Sequence, residues 1–216
     1  MVIIEFCGVP GCGKSTTVDK LKDILLKKST KVIDRKYLDR EYLSNNVNIN
    51  YYLSLLSIKQ KRNIKNVMMC LEKYSDNYYY KKAALLLLAL NKNKSDNFVC
   101  VLDEGFIQYL SSIFFDEEID KEIDVSDFFE YIKECFDWRI IHCECDVATA
   151  GNRIMSRNRT GDRYLNNSPE LQVKLLKMKQ DNISFLLTKV PGLVTNIDTN
   201  SFVEDKVLEK IIMDLN

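Results

Sequence analysis

Proline and glycine are scarce in this chain, three and seven among 216 residues. No low-complexity linker and no internal repeat appears, so the economical reading is one domain over residues 1–216, long enough for one sizeable core. Surplus charge is absent too: Lys plus Arg equals Asp plus Glu at 31 each. With no global field to recruit nucleic acid or acidic membrane, any anion-binding site has to be local. Long hydrophobic runs are missing. The longest strongly apolar stretch, Ala83–Leu90, is flanked by Lys81, Lys82, Asn91 and Lys92; it is too short to span a bilayer and reads as a buried helix segment. The opening MVIIEFCGVP lacks the basic and long apolar regions of a secretory signal. Histidine occurs once, as His142. Cysteine, by contrast, occurs seven times, and Cys7, Cys100, Cys143 and Cys145 fall in expected strands, which suits reduced thiols acting as small hydrophobes. Cys143 and Cys145 share one strand face and His142 takes the other, with no second pair to complete a zinc site. The expected compartment is the cytoplasm.

The remaining residues alternate strand and helix patterns, the signature of an open parallel sheet covered on both faces. Strands are expected at Val2–Cys7, Lys31–Tyr37, Phe98–Leu102, Trp138–Cys145 and Leu193–Ile197. Helices are expected at Lys14–Lys28, Ser126–Cys135, Val147–Asn158, Pro169–Lys189 and Phe202–Asp214. Tyr51–Leu90 reads as helical throughout, broken near Ser75-Asp76-Asn77.

Gly8-Val9-Pro10-Gly11-Cys12-Gly13-Lys14-Ser15 fits G-x-x-x-x-G-K-[ST], and Thr16 follows. Glycines let the backbone curl so that several N–H groups face a phosphate, with a helix N-terminus behind them. Lys14 reaches the β- and γ-phosphates and the Ser15 hydroxyl ligates Mg²⁺. An apolar strand enters this loop and an amphipathic helix leaves it, which is the context the motif requires.

A second acidic motif, Asp103-Glu104-Gly105, closes the Phe98–Leu102 strand. Carboxylates at the carboxyl end of a buried strand lie where an open α/β sheet binds its ligand. Asp103 is suited to hold Mg²⁺ and Glu104 to act as a base toward a hydroxyl, although the residues alone leave the two roles interchangeable. After the fourth strand, Arg153, Arg157, Arg159 and Arg163 occur within eleven residues with Asp162 as the only carboxylate. Arg153 and Arg157 share a helix face. Mobile positive charge of this kind is what phosphoryl transfer uses to close over the transferring group.

With these residues in order, the chain resembles the nucleoside and nucleotide kinase branch of P-loop proteins, nearest in layout to thymidylate and deoxynucleoside kinases. The resemblance implies an α/β three-layer sandwich whose five-stranded parallel sheet has the order 2-3-1-4-5, with ATP as donor and Mg²⁺ as cofactor. It implies an acceptor-side helical region at about 45–92 and an Arg-rich lid at about 153–165. It also matches Asn196-Ile197-Asp198 to the last strand and its Asp, near the adenine together with Arg153, and allows a homodimer. One departure stands out: no arginine follows the acidic pair, which continues Glu104-Gly105-Phe106-Ile107-Gln108. Gln108 then suits a neutral polar acceptor, and Arg35 and Arg40 are placed to supply part of the missing charge. The Tyr78-Tyr79-Tyr80 cluster is expected to wall the acceptor pocket.

Two rival functions can be weighed from sequence. Asn93-Lys94-Ser95-Asp96 spells the guanine-reading N-K-x-D, but it precedes the Asp103 strand instead of following a later one, which argues against a GTPase. A nucleotide-binding switch or partner-binding module would not need a base and a lid. The expected activity is therefore phosphate transfer from ATP to a small acceptor. A nucleoside or nucleotide, a sugar or antibiotic-like hydroxyl compound, and a nucleic-acid end all remain open, the last disfavoured by the neutral charge.

Overall fold

The computed structural model describes residues 1–38, 40, 58–93, 98–114, 119, 123–157, 164, 167–192 and 194–213. Its centre is β1 (Val2–Cys7), which alternates its side chains between two cores. Ile3 and Cys7 enter one apolar cluster, Ile4 and Phe6 the other. β1 pairs in parallel with β3 (Val99–Leu102) on one side and with β4 (Asp137–Glu144) on the other. β2 (Val32–Asp34) and β5 (Val194–Asp198) extend the sheet outward, giving the order β2-β3-β1-β4-β5. This five-stranded parallel sheet, flanked by helices, is the expected architecture.

One face is covered by α1 (Lys14–Lys27), α7 (Val147–Arg157) and α9 (Asp205–Met213), which bury Leu21, Leu25, Ala150, Ile154 and Leu208 against it. The opposite face is covered by α4 (Tyr78–Lys92), α5 (Phe106–Ile113) and α6 (Ser126–Cys135). α8 (Pro169–Thr188) runs past both clusters, giving Leu175 and Leu176 to one and Ile183 and Leu186 to the other. Its start is fixed locally: Pro169 occupies the first turn, and the Ser168 hydroxyl accepts from Leu171 N–H at 3.3 Å. α4 begins the same way, with Asn77 Oδ1 accepting from Tyr79 N–H at 2.8 Å. The expected break near 75–77 is present, since α3 (Ile58–Met68) and a 3₁₀ segment at Met69–Tyr74 precede it. Residues 51–57 lie outside the described ones.

Three local readings need correction. The strand expected at Lys31–Tyr37 ends at Asp34, and Arg35–Leu38 turns into a short helix, α2. The Asp34 carboxylate accepts from Tyr37 N–H at 2.9 Å, and this local bond competes with continuing the ladder. The final helix begins at Asp205, leaving Phe202 exposed before it. α5 was not foreseen at all. All eight of its residues are buried, so no solvent-facing side exists to print a 3.6-residue period.

Candidate active site

The loop after β1 is held from below by α7. A Cβ on Gly11, whose φ is +82°, would lie 2.3 Å from the Ala150 carbonyl oxygen, so only glycine lets the loop pass here. Gly8 and Gly13 also take positive φ. The Lys14 side chain is buried and curls back onto its own loop, donating to the Gly8 carbonyl at 2.7 Å and the Val9 carbonyl at 3.0 Å. Its ammonium also lies 3.6 Å from Cys12 Sγ. A hydrogen bond from the Cys143 thiol, aided by that ammonium, holds Cys12 below the usual thiol range. The loop thus gathers donors and one buried cation around a hollow suited to an anion.

That hollow opens into a cavity of about 360 Å³. On its loop side stand Lys14 and Ser15, and the Ser15 hydroxyl donates to Asp103 Oδ2 at 3.4 Å. Hydroxyl and carboxylate therefore converge from α1 and the end of β3, a hard-oxygen pair of the kind Mg²⁺ takes. Glu104, on the same cavity, is ion-paired with Arg35 from the start of α2. The two residues expected separately, one as base and one as acceptor contact, are thus brought together. Arg35 also stacks its guanidinium 5.9 Å from the Tyr109 ring centre.

The far wall is polar and buried. Gln108 and Ser112 reach it from α5, Lys179 from α8 and Tyr79 from α4. The Lys179 ammonium donates to Ser112 Oγ at 2.7 Å and to the Gln108 carbonyl at 3.4 Å. Gln108 Oε1 is buried and has no hydrogen-bond partner among the described residues, an orphaned acceptor that a bound molecule would satisfy. Lys179 was not foreseen. The signal was there, because Leu175, Lys179, Asn182 and Leu186 form one buried stripe of α8, and a lysine on such a stripe needs a reason.

A second cavity of about 290 Å³ adjoins the first across the loop, with Gly13 and Arg157 lining both. Thr16, Arg153 and Phe202 line the second. Arg153 does not reach into the first cavity. It donates to the Thr199 and Asn200 carbonyls, each at 2.8 Å, and so ties α7 to the loop after β5. Asp198 lines neither cavity: its Oδ1 accepts from Asn200 N–H at 2.8 Å and shapes that same loop. Arg159, Asp162 and Arg163 lie outside the described residues, as do Lys94, Ser95 and Asp96 of the N-K-x-D segment, and nothing printed places Arg40 at either cavity.

Beneath the acidic motif sits a residue the sequence reading passed over. Glu5, the charged residue of β1, is fully buried. Its carboxylate accepts from Ile107 N–H at 2.6 Å and from the Trp138 indole N–H at 3.1 Å. Burial pushes its pKa up from 4.5 to about 7, against the lowering effect of these hydrogen bonds.

No family model matches the sequence, and no curated protein matches it. Solved structures do. The YorR protein of Bacillus subtilis, solved in complex with phosphorylated GDP, superposes with a TM-score of 0.54 at 16% identity, covering 99% of this chain and 95% of that one. Shikimate kinase from Acinetobacter baumannii, in complex with shikimate, gives 0.53 at 13% identity over 100% and 93%. Deoxyadenosine kinase from M. mycoides, with bound dATP, gives 0.52 at 16% identity over 99% and 98%. No helix among the described residues is long and apolar enough to cross a membrane. The glycine loop on the central strand, the strand order and these likenesses together show that the chain has a P-loop kinase fold.

Proposed function

We propose that this protein is an ATP-dependent kinase that transfers the γ-phosphate to a hydroxyl of a small polar molecule. The observation that carries this reading is the two-sided cavity. One wall holds Lys14, Ser15 and Asp103, and the other holds Gln108, Ser112 and Lys179. A module that only binds nucleotide has no use for the second wall. In this reading the donor's base lies in the adjoining cavity beside Arg153 and Phe202, and its phosphates pass Gly13 and Lys14. Ser15 and Asp103 would hold Mg²⁺, which when bound neutralises charge on the phosphates.

Glu104 stands between donor and acceptor walls, oriented by Arg35. The acceptor O–H loses its proton to Glu104 as its oxygen bonds to the γ-phosphorus. The bond between that phosphorus and the bridging oxygen breaks, and ADP leaves. Arg157, common to both cavities, faces the transferring group, and Arg159 and Arg163 belong to the same closing segment. Arg153 acts through the loop it pins. The acceptor offers a donor group to Gln108 Oε1 and an accepting or anionic group to Lys179, which fits nucleosides, nucleotides and hydroxylated carbocycles alike.

The test is transfer from γ-labelled ATP into pools of nucleosides, nucleotides and small hydroxyl compounds, with the product identified by mass spectrometry. Labelling by the wild type and none by Lys14→Ala is expected. Nucleotide binding with no labelled product in any pool would replace the kinase reading with a switch. Glu104→Gln sharpens the acceptor class: turnover collapses for a hydroxyl acceptor and changes little for one that is already an ionised phosphate.

A further inference from the structure

Glu5 has no place in the phosphate chemistry, yet a buried carboxylate in the central strand is expensive to keep and calls for a physical reason. Its geometry supplies one. The carboxylate sits under the first turn of α5, accepting from Ile107 N–H at 2.6 Å, one of the N–H groups a helix start leaves without an internal partner. Its other oxygen takes the indole N–H of Trp138 on β4 at 3.1 Å. Gly105 closes the lid over it: a Cβ there would lie 2.4 Å from the Glu5 carboxyl carbon. One side chain therefore joins β1, the strand that feeds the glycine loop, to β4 and to the helix that carries Gln108 and Ser112.

We propose that Glu5 is a positioning residue that clamps α5 while charged, so that protonation below neutral pH loosens the acceptor wall and leaves the donor wall at Lys14 unchanged. A charge-assisted hydrogen bond is about twice as strong as a neutral one. Once protonated, the carboxyl presents an O–H to a pocket that offers two donors. The surroundings contain little that would mask this titration. Along β1 the titratable neighbour is Cys7, whose thiol is pushed up by its own burial and further by the Glu5 charge. α5 presents Phe106 and β4 presents Trp138, whose rings pack edge to face with centroids 6.2 Å apart. Phe128 of α6 packs on Phe106 behind them, and β3 brings Leu102 opposite Glu5 in register. His142, further along β4 and paired in register with Cys7, is the one other group that titrates in this range.

Trp138 is the sole tryptophan and bonds directly to Glu5, so its emission reports the protonation state in the intact protein. We expect a single transition in Trp138 fluorescence, with its midpoint near the value of about 7 that burial gives Glu5. It should persist in His142→Asn and vanish in Glu5→Gln. Infrared spectra of the wild type, which need no variant, should show a buried protonated carboxyl band growing over the same range. Amide hydrogen exchange, corrected for its intrinsic pH dependence, should accelerate across α5 on the acid side and stay constant in α1. A flat Trp138 profile, a transition that survives in Glu5→Gln, or unchanged α5 protection would overturn the proposal.

The consequence for the acceptor rests on the kinase reading. For any acceptor found by labelling, KM should rise about three- to tenfold as pH falls through the transition, a loss of the size of one hydrogen bond. The KM for ATP should stay level. Absence of every labelled product would sink the kinase reading and leave the Trp138 transition standing; a flat Trp138 profile would do the reverse.

Discussion

The two walls of the cleft are made in opposite ways. The donor wall is a contiguous loop that satisfies itself: Lys14 bonds to Gly8 and Val9 within the same eight residues. The acceptor wall is assembled from α2, α4, α5 and α8, bringing Arg35, Tyr79, Glu104, Gln108 and Lys179 together from across the chain. A wall made of backbone depends on local conformation and tolerates little change. A wall made of distant side chains depends on packing, and its chemistry can drift while the fold stays fixed. The solved structures it superposes on, a shikimate kinase and a deoxyadenosine kinase, differ in the small molecule their names specify.

The sharpest way to break the donor wall is Lys14→Ala. We expect phosphate transfer to fall by about a thousandfold, the scale of losing a positioned donor to developing charge. The melting temperature should barely move, because the ammonium's bonds are to carbonyls at the edge of a polar cavity. Single-turnover transfer and thermal melts of the two proteins check this together.

On the acceptor side the largest effect concerns stability and pH. Glu5 rises from 4.5 to about 7 on folding, so the folded protein holds a proton that the unfolded chain has released. Stability therefore falls as pH rises through that window, by ~3 kcal/mol in all, and levels off above it. Urea denaturation on either side of the window should show this contribution in the wild type and lose it in Glu5→Gln. Such a carboxylate works against the fold wherever it is charged, which is why its hydrogen bonds to α5 and β4 call for a role beyond packing.

The contrast between the walls also explains what the sequence disclosed. The glycine loop was legible because its function requires residue types at fixed spacing, and the sheet order followed once the loop sat on the first strand. Asp103 was legible as a carboxylate ending a buried strand. The ion pair between Arg35 and Glu104 was not, since it joins β2's end to β3's end and no local pattern encodes that neighbour. α5 was invisible because burial on all sides erases periodicity. Glu5 hid inside a strand that reads as apolar, and its meaning appears only with Ile107 and Trp138 beside it. Asp198 shows the converse: the right residue type in the right strand, turned toward its own loop.

Gly105→Ala tests how tightly the acceptor wall is locked. The backbone there, at φ −123°, accepts any residue, so the effect comes from the 2.4 Å approach to Glu5 alone. Destabilisation of ~1–3 kcal/mol is expected, the range for overpacking a filled site. The same change in a Glu5→Ala background should be far less damaging, and a double-mutant cycle of melting free energies measures that coupling. Gln108→Leu should act more gently, raising the acceptor KM by about tenfold, the value of ~1.4 kcal/mol. Nucleotide affinity should be untouched, as read by titration with a fluorescent ADP analogue.

Phe202 gives the smallest effect and the finest distinction. Its ring is largely exposed yet sits 3.6 Å from the Lys20 ammonium, which is itself ion-paired with Asp205 at 2.7 Å. The lysine fixes the ring at the rim of the second cavity, where a base could lie against its free face. Removing the ring by Phe202→Ala forfeits a cation–π contact and one stacking surface, together ~0.5–1 kcal/mol at an exposed site. We expect a two- to fivefold weaker affinity for ATP by calorimetry, with the acceptor KM unchanged. A change in acceptor KM of equal size would mean that the two cavities do not divide donor from acceptor, and the contrast between the walls would have to be redrawn.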